Sequence, residues 1–395
     1  MGPNRIRIVM VGVGGYGSTY LSCFEKGVLD WDTVSLEGAV DPYADKSPFY
    51  SLLRERNIPV FSELSDFYRE KSAELAVIST PIHLHRPQCE TALQSVSHVL
   101  CEKPLAPGVE DWERIRLAER LSGKRVGVGF QWSFSHTMLT LKQDILSGRF
   151  GKPIRMKSLV CWPRDDAYYD GSAWKGRLRD LSGSYVNDSV ISNATAHYLH
   201  NIFFMMGQTL DTSLLPSEMS AEIYRSKEIE TYDTCFLKGR FPSDAEFFYA
   251  ASHACTVEKD PVFTYEFENA VIGLNDAVND NIVRARFPDG VEREYGNPFT
   301  FEETSGKLRA MLGHARDGGP ITCGTETVYP HVYVCDALSK ISPTTFPNYL
   351  LLRNHKGIFC PPLDGALHEC YEKSSLPSEK GYAWSAGPTV IRPSP

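Results

Sequence analysis

Short apolar runs alternate with longer amphipathic stretches over the first 130 residues of the chain. The apolar runs predict six strands, at residues 6–11, 36–40, 58–61, 75–78, 98–101 and 125–130. Between them the pattern predicts helices at residues 18–26, 63–70, 87–94 and 110–121. Nearly continuous apolar runs are typical of parallel strands with both faces covered by helices. Residues 1–130 are therefore predicted to form an α/β domain with a doubly wound parallel sheet.

After residue 130 the pattern changes to consecutive strands with few helices between them. A helix is predicted at residues 136–146, and strands at 154–159, 221–225, 232–241, 246–254, 263–274 and 281–287. Later helices are predicted at residues 302–315, 326–339 and 363–372. Strands joined by turn clusters favour a largely antiparallel open sheet, so residues 131–375 are predicted to form an α+β domain. Residues 376–395 are rich in proline and are predicted to be a loosely held tail.

The first predicted strand ends in Gly12-Val13-Gly14-Gly15-Tyr16-Gly17, a G-x-G-x-x-G sequence that leads into a predicted helix. Gly12 would permit the tight turn, Gly14 would let a pyrophosphate approach the backbone, and Gly17 would let the helix pack close to its strand. The helix N-terminus would direct its N–H groups at the phosphates. We therefore expect this loop, including Gly15 and Tyr16, to bind a dinucleotide. A glycine-rich turn without a ligand is the alternative.

Asp41 directly follows the second predicted strand. An acidic residue at this place would accept hydrogen bonds from the hydroxyl groups of the adenosine ribose. Its carboxylate would repel a ribose 2′-phosphate, which favours NAD(H) over NADP(H). Lys46 and Arg54 are close enough in sequence to keep NADP(H) as an alternative.

Composition narrows the class of protein. The formal charge of −8 gives no reason to expect a nucleic-acid partner, and no apolar run approaches membrane-spanning length. The N-terminus enters the first strand at once, which leaves no room for a signal peptide. Ten cysteines lack a C-x-x-C pair or another metal spacing, and Cys89, Cys101 and Cys335 lie in apolar patterns. We therefore expect a cytoplasmic protein with thiols in its core and no metal site.

Two further motifs follow predicted strands of the first domain. Thr80-Pro81-x-x-x-His85 follows the fourth strand, and Glu102-Lys103-Pro104 follows the fifth. Together with the glycine motif and the run LKQDILSGRFGKP at residues 141–153, they resemble the Gfo/Idh/MocA family of oxidoreductases. The resemblance covers about residues 5–207. It implies binding of NAD(H) or NADP(H), and it implies that these residues lie against the cofactor: Thr80, Pro81, His85, Glu102 and Lys103.

Members of that family mostly oxidise or reduce one carbon of a sugar, a cyclitol or a related polyol. The resemblance implies that Lys103 holds the reacting hydroxyl and shares in proton transfer. Partial burial would lower the pKa of such a lysine. The alternative is a solvated surface lysine.

A second candidate set lies at residues 193–200. Asn193, His197 and His200 are spaced i, i+4 and i+7, so they would share one face of a helix that runs to residue 207. The family typically carries Asp-x-x-x-His here, which implies that His197 is a general acid/base. Asparagine replaces the aspartate, so either Asn193 orients the substrate or Asp188 substitutes for the acid. A half-buried helix face, or zinc bound through the two histidines, are the alternatives.

Residues 161–177 form a long segment that is rich in aromatic and charged side chains. Trp162, Tyr168 and Trp174 could stack on pyranose rings, while Arg164 could bind hydroxyl groups or a carboxylate. We expect a lid over the nicotinamide, with an arm that packs on another subunit or on the first domain as the alternative. Gln131 follows the sixth strand, at a position where the family often has arginine. It is a further candidate for a residue that binds the substrate. Such departures from the family pattern indicate a divergent subgroup.

The sequence as a whole predicts an NAD(H)-dependent oxidoreductase acting on a carbohydrate or polyol. We expect a homodimer or homotetramer that associates through the sheet of the second domain. A redox-neutral enzyme that cleaves a glycosidic bond by transient oxidation remains an alternative, as does a non-catalytic sugar sensor of the same fold. The presence of Lys103 and His197 argues against the sensor.

Overall fold

The structure is a computed structural model that describes residues 5–393. The chain divides into two compact units, which do not follow a single cut in the sequence. The first contains the chain up to His136 together with Phe299–Val328, and the second contains Thr137–Pro298 together with the chain from Tyr329 onward. The predicted division at residue 130 therefore misses one segment, residues 299–328.

The first unit is built on a sheet of six strands. They are β1 Ile6–Val11, β2 Val34–Val40, β3 Val60–Phe61, β4 Leu75–Ile78, β5 His98–Cys101 and β6 Val126–Val128. Their order in the sheet is β3-β2-β1-β4-β5-β6, and every pair is parallel. This arrangement confirms the doubly wound parallel sheet. Its carboxyl edge therefore carries the residues that follow β1, β2, β4 and β5.

Five helices connect these strands: α1 Gly17–Glu25, α2 Tyr50–Glu55, α3 Leu64–Glu70, α4 Ile82–Gln94 and α5 Val109–Ser122. The short helix α2 was not predicted. Helix α4 begins five residues earlier than predicted, directly after Pro81, and includes Pro87. Residues 82–86 therefore lie on a helix rather than in a loop.

Residues 137–298 form most of the second unit. Its first helices are α6 His136–Leu146, the short α7 Asp166–Tyr169 and α8 Ala196–Met205, with a π-helical turn at Val190–Ala194. Its strands here are β7 Pro153–Cys161, β8 Glu218–Arg225, β9 Thr234–Arg240, β10 Glu246–Ser252, β11 Lys259–Phe267, β12 Val271–Leu274, β13 Val283–Arg286 and β14 Glu292–Gly296. The single strand predicted at residues 263–274 is thus two antiparallel strands, β11 and β12, with a turn between them.

Helix α9, Phe301–Asp317, returns to the first unit. Its residues Leu308 and Met311 are buried in the same core as Ile8 and Met10 of β1. A Cβ on Gly127 of β6 would lie 2.4 Å from the Met311 sulfur, so the helix packs directly against that strand. Residues 299–328 belong to the first unit because this apolar face completes its core, which corrects the prediction that residues 131–375 form one domain.

The last part of the chain completes the second unit. Its elements are α10 Tyr329–Ser339, β15 Thr344–Thr345, β16 Leu352–Asn354, β17 Gly357–Phe359, α11 Pro362–Lys373 and β18 Thr389–Ile391. The large sheet has the order β14-β13-β12-β11-β7-β10-β9-β8-β15, and β18 also pairs with β8. The pairs β7–β10 and β8–β15 are parallel, and the other pairs are antiparallel. The prediction of a largely antiparallel open sheet is therefore confirmed.

The C-terminal segment is held more firmly than predicted. Leu376 is fully buried, and Trp384 packs against Tyr224 and Phe346. Strand β18 then adds to the edge of the large sheet. The prediction of a loosely held tail is thus wrong for residues 376–393, because apolar contacts and strand pairing fix them, and residues 394–395 lie outside the described part.

All ten cysteines are buried and reduced, as expected for Cys89, Cys101 and Cys335. Within residues 5–393, no helix combines the length and the apolar character needed to cross a bilayer.

Candidate functional site

The glycine motif forms the turn between β1 and α1. Gly12 has φ +82°, and a Cβ there would lie 2.8 Å from the Ser79 carbonyl oxygen. A Cβ on Gly17 would lie 2.1 Å from the Gly12 carbonyl oxygen. Both positions therefore require glycine, for the turn at Gly12 and for the close approach of α1 at Gly17.

The N-terminus of α1 is suited to an anionic group. No side chain caps the helix at Tyr16, and its first turn contains no acidic residue. No heavy atom lies within 4 Å of the position that a Cβ would occupy on Gly14 or Gly15, so the loop leaves space beside its backbone. A pyrophosphate would fit these features, because the helix dipole and the backbone N–H groups both favour negative charge there.

Asp41 follows β2 and holds the glycine loop through its side chain. Its Oδ2 accepts a hydrogen bond from Val13 N at 3.0 Å, and its Oδ1 accepts one from Tyr43 N at 2.9 Å. Ser47 Oγ adds a bond to the Val13 carbonyl oxygen at 2.7 Å. Asp41 therefore has a structural role in the loop that the sequence did not suggest.

His85 connects the loops that follow β4 and β5. Its Nε2 lies 2.9 Å from the Thr80 carbonyl oxygen, and its Nδ1 lies 2.8 Å from the Pro104 carbonyl oxygen. Burial lowers the pKa of this imidazole, although the two carbonyls oppose the shift. Both ring nitrogens are thus occupied by the protein, and His85 fits a positioning residue better than the cofactor contact predicted for it.

Neighbouring predicted residues lie at the same edge of the sheet. Thr80 Oγ1 donates to Gln88 Oε1 at 2.5 Å, and Pro81 begins α4. Lys103 is half-buried at the end of β5, and the Lys103–Pro104 peptide bond is cis. Gln131 Oε1 accepts a hydrogen bond from the Tyr16 hydroxyl at 3.3 Å. The structure therefore brings the predicted residues of the first unit together around the carboxyl ends of its strands.

Glu102 is part of a buried cluster that the sequence did not reveal. Its Oε1 accepts hydrogen bonds from the Lys307 ammonium and from the Tyr20 hydroxyl. Lys307 Nζ also donates to the Tyr16 hydroxyl at 3.1 Å and to the Gly129 carbonyl oxygen at 3.3 Å. Lys307 thus links the glycine loop to the loop that carries Lys103.

The cluster places opposite charges in the interior of the first unit. The side chain of Lys307 is 1% exposed and that of Glu102 is 9% exposed. Burial by itself would lower the pKa of Lys307, but the neighbouring Glu102 and Tyr16 raise it overall. Burial also raises the pKa of Tyr20 well above its ordinary value, and the Glu102 charge adds to that shift. The ammonium and the phenol are therefore protonated around neutral pH, and the pair is held as an ion pair.

One sequence signal could have identified Lys307. It precedes Leu308 and lies four residues before Met311, on the apolar side of an amphipathic helix. A lysine at such a position is rarely buried without a partner of opposite charge. Its partner could not be named from the sequence, because Glu102 lies 205 residues away.

Asp188 and Asn193 are in direct contact in the second unit. Asn193 Nδ2 donates to Asp188 Oδ1 at 3.0 Å, and Gly176 N donates to Asp188 Oδ2 at 2.7 Å. Asp188 is buried, and its own carbonyl oxygen accepts a bond from the Thr231 hydroxyl at 2.6 Å. A buried carboxylate therefore stands next to the asparagine that replaces the family aspartate.

The predicted shared helix face is wrong for Asn193, whereas His200 lies on the same helix as His197 but is buried. Asn193 lies in the π-helical turn, closed by a bond from Thr195 N to the Val190 carbonyl oxygen at 3.1 Å, and α8 begins only at Ala196. His200 is 1% exposed and stacks on Phe204. Burial lowers the pKa of His200 well below its ordinary value, and nearby His331 and Lys142 add to the shift. His200 is therefore a core residue rather than a substrate contact.

His197 keeps a position that a substrate could reach. It is half-buried near the start of α8, with its ring 6.5 Å from that of Tyr198. The Tyr198 ring in turn meets Trp162 edge-on at 5.5 Å.

Among residues 5–393, no group of three or more His, Cys, Asp or Glu side chains is arranged to hold a metal ion.

The segment 161–177 is anchored to the second unit. Trp162 N donates to the Ser252 carbonyl oxygen at 3.0 Å, and Arg164 N donates to the His253 carbonyl oxygen at 3.1 Å. Asp165 caps α7 by accepting a bond from Tyr168 N. Trp174 lies farther along and is half-buried. Trp162, Arg164 and Tyr168 form one stacked group, whereas Trp174 belongs to the following turn.

Residues 6–130 match the model of an oxidoreductase family with an NAD-binding Rossmann fold, Gfo/Idh/MocA. Residues 6–130 are therefore similar to the NAD-binding domain of the Gfo/Idh/MocA oxidoreductases. The match agrees with the six-stranded parallel sheet and the glycine turn described above.

Two known dehydrogenases are similar to part of the chain. One is the 1-carboxy-3-chloro-3,4-dihydroxycyclohexa-1,5-diene dehydrogenase of Comamonas testosteroni, 26% identical over 51% of this chain and 49% of its own. The other is inositol 2-dehydrogenase of Salmonella paratyphi B, 29% identical over 37% of this chain and 43% of its own. The chain thus spans about half the length, or less, of these relatives.

A solved structure resembles the fold over most of the chain. The WlbA dehydrogenase of Bordetella pertussis, in complex with NADH and UDP-GlcNAcA, has a TM-score of 0.68 and 21% identity, and covers 85% of this chain and 95% of its own. At that identity the similarity concerns the fold.

Proposed function

We propose that this protein is an NAD(H)-dependent oxidoreductase that transfers hydride between nicotinamide and a carbinol carbon of a sugar, glycoside or cyclitol. The observation that supports it most is the convergence of four motifs at one edge of the parallel sheet. The glycine turn, Asp41, the Thr80–His85 connection and Lys103 follow four different strands and meet where such sheets bind dinucleotides. The dehydrogenase relatives support the reaction class.

The proposed roles divide between binding and proton transfer. When bound, the nicotinamide accepts or donates the hydride. Gly14 and the N-terminus of α1 would hold the pyrophosphate, and Asp41 would bind the ribose hydroxyls. Lys103 would hold the reacting hydroxyl, and His197 would move its proton, because an imidazole titrates near neutral pH. The contact between Asp188 and Asn193 supports Asp188 as the acidic group that takes the place of the family aspartate, which this chain replaces with Asn193.

We further propose a preference for NAD(H) over NADP(H). Asp41 is held by two backbone N–H groups, so its carboxylate cannot turn away from a ribose 2′-phosphate without losing them. Lys46 lies 4.9 Å from the ring of Tyr43, which is exposed just beyond Asp41, and could still contribute to binding of a 2′-phosphate. Measured affinities for the two cofactors would decide the preference.

A homo-oligomer that uses the large sheet remains part of the proposal. Both faces of this sheet carry a helix. Thr264 and Tyr265 are neighbours in β11, so their side chains lie on opposite faces. Tyr265 is hydrogen-bonded to Asn201 of α8, and Thr264 is hydrogen-bonded to Tyr371 of α11. Helix α11 therefore partly covers the face of the sheet that lies opposite α8. The β11–β14 end of that face would serve as the interface, and size-exclusion chromatography with light scattering would measure the subunit number.

A screen of neutral and acidic sugars, polyols and cyclitols with NAD and NADP would test the proposal. Absorbance of the reduced nicotinamide should rise with at least one compound, and the products should be identified by mass spectrometry. A product formed without net reduction of NAD would support the redox-neutral alternative instead. Binding of NAD without conversion of any compound would contradict the catalytic proposal.

A further inference from the structure

Two cations lie over one aromatic ring in the segment 161–177. Lys175 Nζ is 3.9 Å from the centre of the Tyr168 ring, and the Arg164 guanidinium carbon is 5.2 Å from it. The same guanidinium carbon is 5.8 Å from the Trp162 ring. The group therefore combines two positive charges with two aromatic faces.

Arg164 and Lys175 form no ion pair with an acidic side chain within residues 5–393, and the Nε of Arg164 is buried without a hydrogen-bond acceptor. The acids nearest to Arg164 in sequence are engaged elsewhere, since Asp165 caps α7 and Asp166 pairs with Lys227 at 2.9 Å. A buried guanidinium N–H normally finds an acceptor, so Arg164 is left with hydrogen-bonding capacity that the described residues do not use.

Other basic residues of this region behave differently. Arg177 pairs with Glu230 at 3.5 Å, and Arg179 donates to the Gly183 carbonyl oxygen at 2.8 Å. The unbalanced charge is thus confined to the stacked group around Tyr168. The backbone that carries Trp162 and Arg164 is fixed by hydrogen bonds from their N–H groups to the carbonyl oxygens of Ser252 and His253, at the end of β10.

We propose that Arg164 and Lys175 form a subsite for the anionic group of an acidic sugar, either a carboxylate or a phosphate. A guanidinium recognises both groups through two parallel hydrogen bonds, and the aromatic faces of Trp162 and Tyr168 would pack on the sugar ring. This inference rests on the proposed function and deepens it, because it selects acidic sugars among the carbohydrate substrates.

The test compares matched ligands. The protein, with and without NAD, is titrated calorimetrically with D-glucose, D-galactose and D-mannose, and with the uronate and the 6-phosphate of each. At least one acidic sugar should bind roughly 10-fold or more tightly than its neutral parent, and this difference should shrink as NaCl is added. Preference for the uronates or for the 6-phosphates distinguishes the two anionic groups.

Three variants assign the effect. Arg164→Gln should weaken binding of the acidic sugar roughly 10-fold while leaving the affinity for the neutral sugar unchanged. Arg164→Lys should lose part of the affinity for the acidic sugar. Arg179→Gln removes the same charge two residues beyond the segment and should change the affinity for neither sugar. Equal binding of acidic and neutral sugars by the wild type, or an equal effect of Arg164→Gln on both, would overturn the subsite.

The outcomes also separate the subsite from the catalytic proposal. Oxidation of neutral sugars alone would leave the proposed function standing and remove the subsite. Binding of acidic sugars that depends on Arg164 but is never followed by reduction of NAD would retain the subsite and remove the proposed function.

Discussion

Replacing Lys307 by methionine would test the buried ion pair that holds the loop of Lys103. Methionine keeps most of the volume of the lysine stem but leaves the Glu102 carboxylate without its cation. Removing one partner of a buried pair typically costs about 3–5 kcal/mol, because the remaining charge stays in a poorly solvated place. We therefore expect Lys307→Met to lower the free energy of unfolding by about that amount.

A double variant separates charge from packing. In Lys307→Met/Glu102→Gln both partners are neutral, and the glutamine oxygen can still accept the hydrogen bond from Tyr20. Replacing both partners of a buried pair by neutral groups often changes the free energy of unfolding little. We therefore expect the double variant to regain most of the stability lost in Lys307→Met. The remaining loss should be about 1 kcal/mol for each hydrogen bond that is not restored.

Urea unfolding followed by circular dichroism would measure both variants. Lys340→Met is the matched control, because Lys340 pairs with Asp336 at 2.7 Å on the surface, where its side chain is 71% exposed. Exposed pairs contribute about 0–1 kcal/mol, so this change should have little effect. A loss for Lys307→Met no larger than for Lys340→Met, or a double variant as unstable as the single one, would refute the reasoning.

The pair also predicts the response to alkali. The pKa of Lys307 is raised in the folded protein, so the folded state holds this proton more tightly than the unfolded chain. Its contribution is complete below the ordinary pKa of 10.5 and is lost as the pH rises from there through the raised pKa. The raised pKa values of Tyr16 and Tyr20 act with the same sign, and Lys307 itself lowers the pKa of Tyr16, so the difference between wild type and Lys307→Met reports the lysine together with its effect on Tyr16.

Three other predictions concern the proposed catalytic and binding groups. Asp41→Asn should weaken NAD binding and reduce the difference in affinity between NAD and NADP. An equal change in affinity for both cofactors would contradict the role of Asp41. Lys103→Met and His197→Ala should each lower kcat by roughly 10²-fold or more with little change in NAD affinity, and their double variant should be little worse than the worse single one. Trp162→Ala and Tyr168→Ala should raise KM for the sugar; normal KM with altered subunit assembly would favour the arm instead of the lid.

The edge of the parallel sheet was predictable because each of its signals is local. Gly12 and Gly17 are required by the turn they occupy, and Asp41 and Lys103 each follow a short apolar strand. Parallel strands in this order bring their carboxyl ends together, so separate local motifs add up to one predicted site. Lys307 could not be placed in the same way, because its role depends on a helix that rejoins the first unit after about 160 residues of the second.

Residues 193–200 show why regular spacing in the sequence did not predict the arrangement of these side chains. The i, i+4, i+7 relation of Asn193, His197 and His200 assumes one continuous α-helix, but a π-helical turn precedes α8 and changes the angle between Asn193 and His197. The turn places the Asn193 amide on Asp188, five residues earlier, a contact that α-helical geometry would not have indicated.

Helix α8 is also buried around most of its circumference, so sharing a face with His197 did not make His200 accessible. Apolar residues on every side of such a helix are the sequence sign that a histidine within it belongs to the core. His197 differs because it lies in the first turn, next to the π-helical turn rather than inside the packed part of the helix. If Asp188 acts with His197, then Asp188→Asn should lower kcat more than Asn193→Ala does, since the first change removes the carboxylate charge whereas the second leaves it in place.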